Sequence, residues 1–306
     1  MHQTLWQQAG TMRSSSTNAH PVHVIGATGR SGQAVCRALA MLGTPVVPIA
    51  RNPAKAKGLK NLRVADLNGP AAPLRAALAD ATRIVCTAHA RTIPALLAAA
   101  PPTARLVCLG STRKFTRWPD AHGNGVLLGE RALLASGRSG VILHPTMIYG
   151  AQGENNVQRL AVLLRYLPFT PLPGGGRALV QPVWQGDVTA SILAALNRAW
   201  DGPHSMVIAG ADAVPYRQFV AMVAQAAGLA PRPALPVPAA LLMLAARVAA
   251  HIPGLPRIGP DEIRRLLENK NFDITPMRTM LGVAPIGLAE GLHHTFFAAG
   301  HPTYSA

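Results

Sequence analysis

Acidic residues are scarce in this chain: 13 Asp and Glu stand against 29 Lys and Arg, a net charge of +16. None occurs before Asp66, whereas the same stretch holds Arg13, Arg30, Arg37, Arg51, Lys55, Lys57, Lys60 and Arg63. A face so charged attracts polyanions, or is a solvated basic surface in an arginine-rich protein. Nucleic acid is the first polyanion to test. The sequence has no helix-turn-helix and no zinc-ligand spacing, and its few aromatics do not alternate with basic residues, so we expect no nucleic-acid partner.

Cysteine is equally sparse. Cys36, Cys86 and Cys108 sit in apolar runs with no CxxC spacing, which points to buried reduced thiols rather than bridges or metal ligands, and hence to a cytoplasmic protein without a metal centre. Residues 1–20 are polar and lack the apolar core of a signal peptide, so we expect a flexible N-terminal tail there. The longest apolar stretch, Ala239 to Ile252, is interrupted by Arg247 and His251 and falls short of the roughly 20 residues that span a bilayer. Such a segment is ordinarily a buried helix. With nearby Arg257, Arg264 and Arg265 it is also compatible with peripheral attachment to an anionic membrane or an acidic protein partner.

What is present is a rhythm. Val22–Ile25 is a β-branched run ending in a glycine cluster, and Gln33 to Met41 has helical composition with Gly43 as its stop. Further strands are expected at Val46–Ala50, Leu62–Ala65, Arg83–Thr87, Arg105–Leu109, Gly140–Leu143 and Met206–Ile208. Helices are expected at Leu74–Leu78, Ile93–Ala100, Val126–Ser136, Val157–Tyr166 and Val188–Ala199. A short helix with rigid ends is expected between Pro231 and Pro260, and Asp261 to Phe297 reads as helical with a break near Pro276. Short apolar strands alternating with helices predict an α/β fold: a Rossmann-type doubly wound parallel sheet with a small, mostly helical C-terminal substrate region. That region is expected to interleave with the 21–306 domain at about 151–187 and 211–306.

The segment Gly26-Ala27-Thr28-Gly29-Arg30-Ser31-Gly32 follows a predicted strand and opens a helix. Glycines there let the backbone turn tightly and approach a pyrophosphate, while the helix N-terminus offers unpaired N–H groups. Sites that prefer NAD place an acid about 20 residues on, to accept the ribose hydroxyls. Here that place reads Ala50-Arg51-Asn52. A guanidinium suits a 2′-phosphate in charge and in fork geometry, and Arg30 adds a second cation, so NADP(H) is preferred over NAD(H).

Together with the Ser111-Thr112 pair, with His144-Pro145-Thr146-Met147-Ile148-Tyr149-Gly150 and with Gln181-Pro182-Val183-Trp184-Gln185-Gly186-Asp187-Val188, this loop resembles the successive motifs of NAD(P)-binding epimerases and reductases. The likeness spans about residues 22–297 and is to atypical extended members of the short-chain dehydrogenase/reductase superfamily, including the nucleotide-binding accessory subunit of respiratory complex I and NmrA-like proteins. The resemblance implies that Asp66 and Leu67 border the adenine, Ala88 the ribose, and Pro145 and Thr146 the nicotinamide. The alternative is that Asp66 caps a turn and Pro145 stiffens one.

Catalytic members of that superfamily use a Tyr with a Lys four residues later. None of Tyr149, Tyr166, Tyr216 and Tyr304 has that Lys, and the resemblance aligns His122 with the Tyr and Val126 with the Lys. Ser111, Lys114 and His122 are the candidate substitute acid/base set; the alternative is a capping Ser, a surface Lys and a loop His. Asn155, Asn156 and Arg159 fall where the family forms its substrate cleft, or are solvated loop residues. Two functions follow: an oxidoreductase or epimerase-like enzyme acting on an unidentified small molecule, or a non-catalytic NADP(H)-binding structural or redox-sensing module.

Overall fold

The β-branched runs assemble side by side in a computed structural model that describes residues 20–56, 58–150, 156–249 and 259–297. Most of the expected N-terminal tail, Asn155, Arg257 and the end of the apolar segment lie outside the described residues. Seven strands, β1 (Val22–Ile25), β2 (Val46–Ala50), β3 (Arg63–Val64), β4 (Arg83–Cys86), β5 (Arg105–Leu109), β6 (Gly140–Pro145) and β7 (Pro203–Ile208), form one sheet in the order β7-β6-β5-β4-β1-β2-β3. All six pairings are parallel. The chain runs outward from β1 to β3, then crosses back to lay β4 on the other side of β1. That reversal opens a crevice at the carboxyl ends of β1 and β4.

Alternation along each strand sorts side chains onto two faces. Val22, Val24, Val85, Val107 and Val141 pack with α1 (Arg30–Met41), α6 (Gln185–Asn197) and α10 (Thr275–Leu281). Ile84, Cys86, Leu106, Cys108 and Ile142 pack with α2 (Ala71–Leu78), α3 (Ile93–Ala99) and α4 (Ala121–Ala135). Because both faces are covered, these strands read as apolar runs instead of alternating ones. The three cysteines are buried free thiols, as their neighbours predict.

A third core joins Tyr149 to α5 (Asn156–Tyr166), α7 (Tyr216–Ala226) and α11 (Leu288–Phe296) through Val157, Leu164, Phe219, Val223 and Leu292. The small C-terminal region also holds α8 (Ala239–Ala249) and α9 (Pro260–Arg265).

Several boundaries differ from the sequence reading for identifiable reasons. Helix α4 starts at Ala121, five residues before Val126, with Asp120 accepting the Gly123 N–H at 2.8 Å as its cap. Its early glycines are spacers: a Cβ on Gly125 would lie 2.9 Å from the His89 ring, and one on Gly129 would lie 2.0 Å from the Ala90 carbonyl. Residues 234–237 form a strand parallel to Thr170–Pro173 despite their proline, because an edge strand tolerates one. Pro276 does not break the C-terminal helix but sits in the first turn of α10, where a missing N–H costs nothing. The helix is interrupted on both sides of α10, between α9 and α10 and again after Leu281, where Gly282 adopts a left-handed conformation before α11.

Candidate functional site

Strand β1 runs into Gly26, whose φ of +79° and close approach to Thr87 admit no side chain: a Cβ there would be 2.7 Å from the Thr87 hydroxyl. The Gly29 N–H then donates to the Gly26 carbonyl at 2.9 Å, closing the turn that starts α1. A Cβ on Gly32 would be 2.2 Å from the same carbonyl, so Gly32 lets helix and strand touch. Gly29 differs from both, since a Cβ there would meet only the Gly26 carbonyl, at 3.2 Å. It caps α1 without a side-chain acceptor. The first turn of α1 thus offers its N–H groups and positive potential to an anion, past a residue with open space beside it.

Beside this turn lies a cleft of about 280 Å³ lined by Gly26, Thr28, Arg51, Asp66, Leu67 and Ala88. All six were singled out from the sequence. Asp66 also accepts the Asn68 N–H at 3.0 Å, so it holds its own turn as well as facing the cleft. Arg51 is exposed and has no ion-pair partner among the described residues, unlike Arg63, whose guanidinium makes two bonds to Asp80 at 2.5 and 2.9 Å. The cleft also contains Asn68, His89, Arg91 and Thr92, which the sequence reading missed. Arg91 is a second exposed cation on this wall. The signal for it was the basic residue just past β4, the strand that borders the crevice. Arg30, at the first position of α1, is exposed but not among the lining residues, and Ser31 donates to Gln185 at 3.2 Å, tying α1 to α6.

The other end of the site is built where β5 and β6 stop. The Ser111 N–H donates to His144 Nδ1 at 3.2 Å, and the Thr112 hydroxyl donates to the Pro145 carbonyl at 3.2 Å. These bonds bring the Ser111 loop against the Pro145-Thr146 turn. Thr146 is 6% exposed, and its hydroxyl has no hydrogen-bond partner among the described residues. The Ser111 hydroxyl itself accepts the Arg113 N–H, capping a short helical turn.

Lys114 is buried, with its ammonium 2.5 Å from Glu130 on α4. The same carboxylate oxygen accepts the Ser205 hydroxyl at 2.5 Å and lies 3.3 Å from His144 Nε2. Burial alone would raise the Glu130 carboxyl, but hydrogen bonds from Lys114 and Ser205 and the nearby His144 hold it below its ordinary value. Burial, reinforced by the Lys114 charge, pushes His144 down to about 4. Its ring is therefore neutral at physiological pH, with Nδ1 accepting and Nε2–H facing the carboxylate and Ser205. Sequence reasoning missed Glu130 and Ser205. The available signal was a single lysine and a single acid flanking the start and middle of one helix.

His122 sits in the first turn of α4, its ring 4.3 Å from that of His89 and nearly perpendicular to it. Burial and then the Arg113 charge lower His122; burial and then His122 lower His89. His89 Nδ1 accepts the Arg91 N–H at 3.1 Å, while its buried Nε2 has no partner. Among the described residues no side-chain hydrogen bond links Ser111, Lys114 and His122 to one another: the Lys114 ammonium is committed to Glu130, and the His122 ring packs against His89. Asn156 opens α5 and is exposed. Arg159 lies 3.9 Å from Glu262 at the start of α9.

Comparison with known proteins places this architecture. A scan against protein-family models and a search of curated proteins each find no match. Solved structures do match. The Escherichia coli NADPH-dependent quinone oxidoreductase QOR2, complexed with NADPH, superposes with a TM-score of 0.69 at 22% identity, covering 90% of this chain and 99% of that one. The UDP-glucuronic acid 4-epimerase of Bacillus cereus, in complex with UDP-glucuronic acid and NAD, gives 0.67 at 16% identity over 90% and 98%. A short-chain dehydrogenase/reductase superfamily protein of Agrobacterium tumefaciens with bound NAD gives 0.64 at 17% identity over 90% and 95%. The chain shares the Rossmann-like α/β fold of these structures. Its structural neighbours are NAD(P)-binding epimerases and reductases, in agreement with the motifs read from the sequence. Within this fold the glycine turn and cleft stand at the sheet's reversal point, where dinucleotides bind.

Proposed function

We propose that the protein binds NADP(H) and reduces a small, already activated acceptor such as a quinone or conjugated enone. The observation that carries this reading is the pair of exposed arginines, Arg51 and Arg91, on a cleft beside an open glycine turn. Gly29 leaves room for a pyrophosphate, and the guanidinium groups suit a 2′-phosphate better than ribose hydroxyls. Asp66, Leu67 and Ala88 would hold the adenosine. Pro145 and Thr146 would hold the nicotinamide end, where the Thr146 hydroxyl awaits a partner. Bound NADPH supplies a hydride.

The chain's own contribution is positioning, with a proton from His122, from Ser111 or from water. The resemblance aligns His122 with the Tyr of catalytic members, and burial, then the Arg113 charge, lowers its pKa, which favours a neutral ring able to relay a proton. Lys114, paired with Glu130, acts by holding α4 and the β5 end together. Asn155, Asn156 and Arg159 are the candidate contacts to substrate. Lacking the Tyr and Lys pair, the site loses a proton-transfer advantage of about 10²–10⁴, which an unactivated ketone requires and a quinone needs less. The E. coli neighbour that acts on a quinone with NADPH supports the same choice.

The test is NADPH oxidation with a naphthoquinone against a simple ketone. The quinone is expected to react at least about 100-fold faster, and His122→Phe is expected to lower that rate while leaving NADPH affinity unchanged. NADPH binding without turnover on any acceptor would instead establish the second reading, a non-catalytic structural or redox-sensing module, which the commitment of Lys114 to Glu130 favours.

A further inference from the structure

Helix α8 and the strand before it take no part in the site described above. The helix sequence, AALLMLAARVA, carries one charge, at Arg247. None of its described side chains is buried. Leu241 and Leu244 are each 58% exposed, Leu235 in the preceding strand 45%, and Tyr166 at the end of α5 65%. Three residues apart, the two leucines share one helix face. Exposed aliphatic side chains sharing one helix face mark a place of contact.

The surround of this patch is basic. Arg165, Arg177, Arg217, Arg232 and Arg247 are all exposed. Arg177 and Pro236 both approach Gly175, at 3.8 and 4.0 Å from its Cβ position, and Arg217 backs Gly176 at 2.9 Å. Arg232 donates to the Arg165 carbonyl at 3.4 Å, which joins the end of α5 to the strand. From residue 213 to 260 the sequence contains no Asp or Glu. The acids that bound this stretch are Asp212, exposed before α7 and 3.9 Å from the Cβ position of Gly287, and Asp261, 3.8 Å from Arg264, with Glu262 3.9 Å from Arg159. The face therefore combines an aliphatic centre with a positive rim.

We propose that this face docks the protein on an anionic lipid bilayer, with Leu235, Leu241 and Leu244 entering the headgroup boundary and the arginine rim meeting lipid phosphates. A second copy of the chain, related by a two-fold axis, would set one arginine rim against another. A folded protein partner is ordinarily met by aromatic anchors in complementary pockets. A short helix of Leu, Ala and Met flanked by Arg matches instead the apolar boundary and surface charge of a membrane. Among the described residues no helix is long and apolar enough to cross one, so contact is along the surface.

The docking is independent of turnover, and the experiment keeps the two separate. The full chain is sedimented with vesicles of phosphatidylcholine, or of phosphatidylcholine with phosphatidylglycerol, while NADPH affinity and thermal melting are measured in parallel. The expected result is at least tenfold tighter binding to the anionic vesicles, weakened by salt. The double variant Leu241→Asp/Leu244→Asp should reduce it more than tenfold with NADPH affinity and melting unchanged, and Arg177→Glu/Arg232→Glu should remove the preference for phosphatidylglycerol. Equal binding to both vesicle types, or undiminished binding by the aspartate variant, overturns the proposal. So does a stable dimer that the aspartate variant breaks, which would make a second copy the occupant, or a saturable acidic protein partner that binds in place of vesicles.

Discussion

Past the ends of β2 and β4, Arg51 and Arg91 stand exposed on the cleft with no carboxylate partner among the described residues, whereas past the end of β5 the Lys114 side chain is 9% exposed and 2.5 Å from Glu130. The same type of charge does different work in the two places. An unpaired guanidinium on an open wall keeps its full attraction for an incoming phosphate. A buried ammonium with its partner in place has already exchanged its water for a fixed carboxylate, and what it contributes is the relative position of β5, α4 and β7. Under the proposed function, the contrast separates a half of the site that binds from a half that holds the fold together. Binding residues face outward and await a ligand; the lysine and the histidine at β6 face inward and are satisfied.

Filling the glycine turn is the most drastic way to break that contrast. Gly29→Val places a branched side chain in the space beside α1's first turn, where only the Gly26 carbonyl now approaches, at 3.2 Å. NADPH binding is expected to fall below detection while the thermal melt stays near that of the wild type, because the sheet is untouched. Retained binding with a normal melt would show that the loop is a turn and nothing more.

The inward-facing half is sharpened by Lys114→Met, whose expected effect is on stability. Removing the ammonium leaves Glu130 buried with only Ser205 and His144, a loss of about 3 kcal/mol, or roughly 6–12 °C in melting temperature for a chain of this size. Since the folded state holds the Glu130 carboxyl below its ordinary value, its contribution is present above the unfolded pKa and disappears as pH falls through the folded one. The gap between wild type and variant should be widest near neutral pH and close in acid. A gap that is the same at every pH would mean that the lysine matters for packing and not for its charge.

The sequence made the outward half easier to read than the inward half, and the reason is geometric. Strands β1, β2, β4 and β5 are covered on both faces, so each appears as a continuous apolar run, and the spacing of Gly26, Gly29 and Gly32 follows from one strand meeting one helix. Lys114 and Glu130 are 16 residues apart and meet only because α4 folds back along the β5 end. No local pattern announces that pair. Glycines 123 and 125 hide the start of α4 for a related reason: their intrinsic helix penalty of up to about 1 kcal/mol each argues against a helix before Val126, but the close passage of Arg113 and His89 leaves no room for a side chain at those positions. His89 and Arg91 were overlooked because the turn after β4 has no motif, only a position beside the crevice. Strand 234–237 was hidden by Pro236, which only its edge position makes harmless.

The account turns on the claim that exposed cations at the ribose end select the phosphorylated cofactor. Calorimetric titration of the wild type and of Arg51→Asp with NADPH and with NADH tests it directly. One charge-assisted contact is worth roughly 1.5–3 kcal/mol, or more than tenfold in affinity. The wild type should therefore bind NADPH at least about tenfold more tightly than NADH, and Arg51→Asp should lose that advantage while NADH affinity stays level or improves. Equal affinities of the wild type for the two cofactors would contradict the account.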